Sequence, residues 1–167
     1  MRNKIIVAAL VVVGFASVAY AAFAQVLTIN GTGTAAGTWN VAITNITQTS
    51  NTGATDNTPP SYTGTSATFD VDLAYPGATA TYDVTVTNSG TVPAILSSIT
   101  DLTSINSQAP TYLTYTTTGV TGGTTTLAAN GGTNVVHVTV TWDAASAPTT
   151  PNESKAATIT LNYDQNT

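Results

Sequence analysis

Strict alternation of apolar and polar side chains restricts this chain more than any other feature. Val136, Val138, Val140 and Trp142 share one parity, and Val135, His137, Thr139 and Thr141 take the other. The same period of two recurs at Ala67, Phe69, Val71 and Leu73, at Ala80, Tyr82, Val84 and Val86, and at Ala157, Ile159, Leu161 and Tyr163. Side chains with that period occupy one face of a strand, and beyond the first two dozen residues no helical period competes with it. The chain is expected to be all-β.

A further alternating stretch starts at Trp39, Val41 and Ile43, and weaker strands are expected at 94–100, 112–117 and 124–127. Between them lie turn signals. TQTSNTGATDNTPPSYTGTS, rich in Gly, Pro, Asn, Ser and Thr, reads as a long loop. Pro76-Gly77 suits a turn. TNSGTVPA breaks the pattern, since Asn88 and Gly90 tolerate positive φ and Pro93 removes a ladder donor. Seven or eight short strands make a single two-sheet sandwich the natural architecture, of jelly-roll or immunoglobulin-like type.

The chain begins with MRNK and an apolar run, IIVAALVVVGFASVAYAAFA, that ends in small residues. A charged start, an apolar stretch and an A-x-A site form a secretory signal, expected over residues 1–21 with its end between 21 and 24. The competing cuts leave Ala22 or Gln25 first. The run also has the length of a membrane span, so an uncleaved anchor is the alternative. A donor-strand segment, 22–35, and a sandwich domain, 36–167, would follow.

Charge then excludes several partners. Removing the signal takes Arg2 and Lys4 with it, leaving Lys155 against eight carboxylates, a net 1 − 8 = −7. Nucleic-acid affinity rests largely on neutralising phosphates with Lys and Arg, so no nucleic-acid partner is expected. Contact with a membrane is expected only through the signal before cleavage. With no cysteine there is neither a disulfide frame nor a thiolate metal site. The polar surface is instead supplied by 37 threonines.

Few residues suggest chemistry. His137 stands alone on the polar side of its strand, and no nucleophile, base and orienting group can be assembled around it. No catalytic residue is assigned and no cofactor is expected. If the strands flanking Pro76-Gly77 pair as a tight hairpin, Asp70 faces Asp83 with Asp72 on the same side, and like charges so placed invite a calcium ion. The competing arrangement has the turn carry the chain between sheets, because a Pro-Gly turn fits a short hairpin poorly. Asn30, Asn45 and Asn152 head acceptor triplets for N-glycosylation.

Two stretches carry a family resemblance. PGATATYDVTVTNSGTVPAILSSITDL resembles a theme of bacterial and archaeal surface sandwiches, in which a Pro-Gly turn opens a strand that ends in Thr-Asn-x-Gly. An Ala-Ala-Phe signal end, followed by Ala36-Gly37-Thr38-Trp39-Asn40-Val41 and a closing AATITLNYDQ, is similar to the TasA and camelysin family of biofilm-matrix proteins and to the related archaeal bundling pili. The bacterial members are richer in lysine and acids, so this Thr-rich chain sits closer to the archaeal branch.

The resemblance implies an extracellular jelly-roll subunit that polymerises head to tail by donor-strand complementation, with filaments that bundle in a matrix; the acceptor triplets would make it a glycoprotein. The donated segment would be Ala22, Phe23, Ala24, Gln25, Val26, Leu27, Thr28 and Ile29. Phe23, Leu27 and Ile29 share one parity, the arrangement by which an added strand fills apolar grooves. The rivals are a monomeric adhesin or envelope domain whose first strand folds at home, and a secreted hydrolase, for which no acid–base pair emerges.

Overall fold

Every second side chain of β4 (Thr79–Asn88) is buried, which makes it the spine of the molecule. Ala80, Tyr82, Val84 and Val86 point inward, as the alternation requires. In the computed structural model, which describes residues 31–146 and 153–166, β4 is flanked by β1 (Val41–Thr52) and β8 (Gly132–Trp142). β6 (Leu113–Thr118) completes an antiparallel sheet of order β1-β4-β8-β6. Its inward residues Val136, Val138 and Val140 join Tyr82 and Val84 in the main core.

A second layer covers this sheet in two separate pieces. β2 (Ala54–Tyr62) and β3 (Ala67–Leu73) form a two-stranded sheet. β5 (Ala94–Ile99) pairs with the short β7 (Thr126–Leu127) on one side and with β9 (Leu161–Gln165) on the other. Phe69, Val71 and Leu73 from one piece, and Ile99, Ile159 and Leu161 from the other, pack on the same core. The regular structure of the described chain is therefore nearly all strand, antiparallel and two-layered. One helical turn, α1 (Thr103–Asn106), interrupts it.

The chain divides into the units Met1–Ala35 and Ala36–Thr167. In the first, residues 31–35 are exposed and without secondary structure. The expected signal, the donor residues 22–29, Asn30 and Asn152 lie outside the described residues.

The expected loop TQTSNTGATDNTPPSYTGTS is instead mostly strand, divided between β1, which pairs with β4, and β2, which pairs with β3. Residues 47–52 continue β1, Gly53 makes the turn with φ of 61°, and β2 follows. Threonine and serine were counted as loop formers, but threonine is β-branched and fits a pleated strand. Pro59 and Pro60 survive in β2 because no described strand pairs with its outer edge, and they sit where the register slips between Thr58 and Ser61.

Neither Asn88 nor Gly90 takes positive φ; among the described residues the non-glycine that does is Asn130. Asn88 is fully buried, with its amide donating to Val92 O and its side-chain oxygen accepting from Gly90 N. Gly90 serves close approach. A Cβ there would overlap the carbonyl oxygen of Thr38 and lie 2.7 Å from Asn40 N. That closeness stitches residues 38–40 to the β4–β5 loop, through Ser89 N to Asn40 O at 2.9 Å and Thr91 N to Thr38 O at 3.0 Å. The entry of the chain into the sandwich is thereby fixed at one end of the sheet.

Candidate functional site: an apolar cleft between unpaired strand edges

Tyr75 to Ala78 form the turn at Pro76-Gly77, with Ala78 N donating to Tyr75 O and Gly77 at φ 93°. The turn carries the chain from one layer to the other, since β3 pairs with β2 whereas β4 pairs with β1 and β8. Of the two arrangements open from the sequence, this is the one without the hairpin. Asp70 therefore faces Thr58, and Asp83 faces Thr47 and His137.

The calcium candidate Asp70, Asp72 and Asp83 is consequently split between two sheets. Asn57 bridges Asp70 and Asp72 through its amide nitrogen, at 3.3 and 2.9 Å. Asp83 meets His137 Nδ1 at 2.5 Å and accepts from Thr49 Oγ1 at 3.2 Å. Among the described residues no three His, Cys, Asp or Glu side chains are grouped to hold a metal ion. The Asp83–His137 pair lies among threonines on the outer face of the four-stranded sheet. Asn45 is exposed on that sheet's edge strand β1, as an acceptor for a glycan would have to be.

The concave feature of the molecule lies in the second layer, where its two pieces fail to meet. β3 has β2 on one edge, and residues 161–165 have β5 on one edge. Among the described residues no strand pairs with the other edge of either. Between these edges runs a cleft with two chambers of about 970 and 890 Å³, sharing Ala67, Thr68, Phe69 and Ala157 in their walls. Val84, Val86, Val136 and Val138 floor the first chamber, with Trp39 and Val41 at its mouth. Val140, Tyr115 and Trp142 floor the second, beside Tyr112 and Lys155. Unpaired main-chain groups on two facing edges above an apolar floor are what an added strand requires.

Each wall is separately secured. Phe69 of β3 stacks on Tyr82 with ring centroids 4.1 Å apart. The Tyr82 hydroxyl donates to the Asp56 carboxylate of β2, and Gln48 donates to both, so the β2–β3 wall is tied to the floor. On the other side Lys155 Nζ donates to Leu113 O at 2.7 Å and Asn106 O at 3.2 Å. Tyr115 donates back to Lys155 O at 2.6 Å, and Tyr112 donates to Glu153 while stacking on Trp142. The single lysine of the sandwich is thus a clamp on residues 153–157.

These contacts shift ionisation. Burial, then the bond to Asp56, raises the Tyr82 hydroxyl well above the ordinary tyrosine range. Burial followed by the bond to Glu153 pushes Tyr112 up to about 12, and burial raises Tyr115 and Tyr163. Desolvation lowers Lys155. Raised folded-state values mean that the unfolded chain releases its tyrosine protons first, from about pH 10. Stability present below pH 10 is therefore lost as pH rises towards the folded values. The denaturation midpoint should fall steeply between about pH 10 and 12, with tyrosinate absorbance appearing at the unfolding transition. A midpoint unchanged through that range would refute the buried-hydroxyl arrangement.

Sequence reasoning placed Phe69, Tyr82 and the valines on inward faces, and it missed that β3 and the closing strand leave a gap between them. It also missed Asp56, whose signal was indirect: a tyrosine at an inward position needs a buried partner for its hydroxyl. Compared with known proteins, the chain matches no family model, no curated protein and no solved structure.

Proposed function

We propose that the chain is a secreted, non-enzymatic structural subunit of an extracellular filament, in which residues 22–29 of one copy fill the cleft of the next. The open cleft between the facing edges of β3 and residues 157–165 carries this reading. β3 is 7 residues long, and Phe23–Ile29 is a stretch of the same length. A strand seated there gains main-chain hydrogen bonds on both sides. It also sets Phe23, Leu27 and Ile29 on the valine floor, where each buried side chain contributes about 1.5–3 kcal/mol.

Filling the gap converts the second layer into one sheet of order β2-β3-donor-β9-β5-β7, and the subunit into a complete jelly-roll sandwich. Cleavage of the signal near residue 21 releases a mature chain that opens on these apolar residues. The resemblance to the TasA and camelysin family and to the archaeal bundling pili points the same way, towards bundled filaments in a biofilm matrix.

Removing Phe23–Ile29 from the mature protein tests the reading. Folded, soluble monomers are expected, with no filaments by electron microscopy under conditions in which the intact protein assembles. Filaments that persist without the segment would sink the proposal. A deletion that instead destabilises the isolated monomer would show that the strand occupies its own cleft, as in a monomeric surface domain.

A further inference from the structure

We infer that the donated strand runs parallel to β3 and antiparallel to residues 157–165, with Phe23 towards the Val41 end of the acceptor's cleft and Ile29 towards its Trp142 end. This rests on the proposed donation and adds its polarity.

The two ends of the sandwich are unambiguous. Val41, Asn88 and Gly132 stand in register at the first, and Leu113, Trp142 and Thr141 with its partner Thr79 mark the second. β3 runs from the first to the second: Gly64, just before it, accepts from Ile43 N, and Ala74, just after it, donates to Gly53 O beside Thr52. Residues 153–166 run the opposite way, from Glu153 beside Tyr112 to Asn166, whose N–H donates to Pro93 O. The cleft walls are antiparallel to each other. Any strand between them is parallel to one and antiparallel to the other.

Chain connectivity decides which. The sandwich is entered at its first end, where Thr38 is bonded to Thr91. Residues 30–37 join the donor segment to that point, and the nine residue steps from Ile29 to Thr38 span at most about 32 Å when fully extended. The 11 residues of β8 extend about 37 Å along the sandwich. The linker is too short to pass along a whole subunit, so the donor's first end must abut its acceptor.

If it abuts the acceptor's first end, the relation is self-complementary, and two copies close into a dimer that fills both clefts. If it abuts the second end, every subunit keeps one orientation and the contact repeats without closing. Only the second arrangement makes a fibre. It puts Ile29, the residue nearest the donor body, at the acceptor's Trp142 end. A segment folding into its own cleft enters from the first end and takes the reverse polarity, antiparallel to β3.

The absence of cysteine makes the polarity readable by cross-linking. Asn162 and Thr158 are exposed residues of the cleft wall, Asn162 nearer its first end. They lie roughly 13 Å apart along an extended chain, beyond the reach of one disulfide. Ala24 and Thr28 share the donor's outward parity and the same spacing. Oxidised filaments of the double variants A24C/N162C and T28C/T158C are expected to run as covalent ladders in denaturing gels, while A24C/T158C and T28C/N162C do not.

Ladders from the second pair of variants alone overturn the polarity and leave strand donation standing. Filaments in which no variant cross-links place the strand outside the cleft and overturn both the polarity and the site. Cross-linked monomers from A24C/T158C show insertion at home and overturn the filament reading itself. Should a double variant fail to assemble, mixing its two single variants supplies donor and acceptor cysteines on different copies and reads the same contacts.

Discussion

A chain that lacks Ala22–Ile29 at its start but carries that sequence after Thr167, joined through an Asn-Gly turn, is expected to stay monomeric and to melt about 8 °C above the chain that merely lacks the segment. The closing strand finishes at the first end of the sandwich, where Asn166 is bonded to Pro93. A tight Asn-Gly hairpin sends the next strand back antiparallel to its predecessor. The appended residues therefore enter the cleft from the first end towards the second, the polarity inferred for the donated strand.

Three large apolar side chains contribute about 1.5–3 kcal/mol each, and the main-chain hydrogen bonds about 0.5–1.5 kcal/mol each. Ordering the backbone costs about 1–2 kcal/mol per residue, which leaves a net gain on the order of 2 kcal/mol. For a domain of this size that corresponds to roughly 8 °C. Calorimetry of the two chains measures it directly. Equal melting temperatures, or filaments from the appended chain, would count against an acceptor cleft of this orientation.

Tyr82→Ala should lower stability by about 3–5 kcal/mol, the range for removing a buried aromatic ring. Tyr82 is fully buried on the central strand, stacks on Phe69 of β3, and donates its hydroxyl to Asp56 of β2. It is the point at which the β2–β3 wall is fastened to the four-stranded floor. The milder change Tyr82→Phe keeps the ring and removes the donor from a half-buried carboxylate, at a cost of about 1–3 kcal/mol.

Both variants should also be poorer acceptors of a donated strand, because one wall of the cleft loses its anchor. Urea denaturation reports the stability, and binding of a synthetic peptide of residues 22–29 to the segment-deleted protein reports the acceptor. A Tyr82→Phe variant as stable as the parent would mean that the Asp56 bond contributes nothing, and the wall would then be held by stacking alone.

Much of this architecture is legible in the sequence. The alternation at 67–73, 80–86 and 136–142 is a local property, since each strand needs one apolar face wherever its partners lie, and those residues are found inward. The end of β1 and the whole of β2 were hidden because their composition suits a loop and an edge strand equally. Threonine, serine and asparagine satisfy either, and two prolines argue against a strand only when both of its edges are paired. Gly90 breaks the strand as its freedom of φ allows, but what it is used for is not local: its missing Cβ admits a neighbouring backbone, a requirement set by a segment some fifty residues away.

The sequence by itself determined that the chain folds as antiparallel strands with a threonine surface. Period-two patterning and the scarcity of charge act residue by residue and need no partner. Only the tertiary structure decided that Asp70 and Asp83 part company, that His137 is matched to Asp83, and that the second layer is divided. Which strand edges meet depends on loop lengths, on turn direction and on how both small sheets settle over one floor. No local pattern encodes a gap between residues 67–73 and 157–165, because neither strand carries information about the other until the core places them face to face.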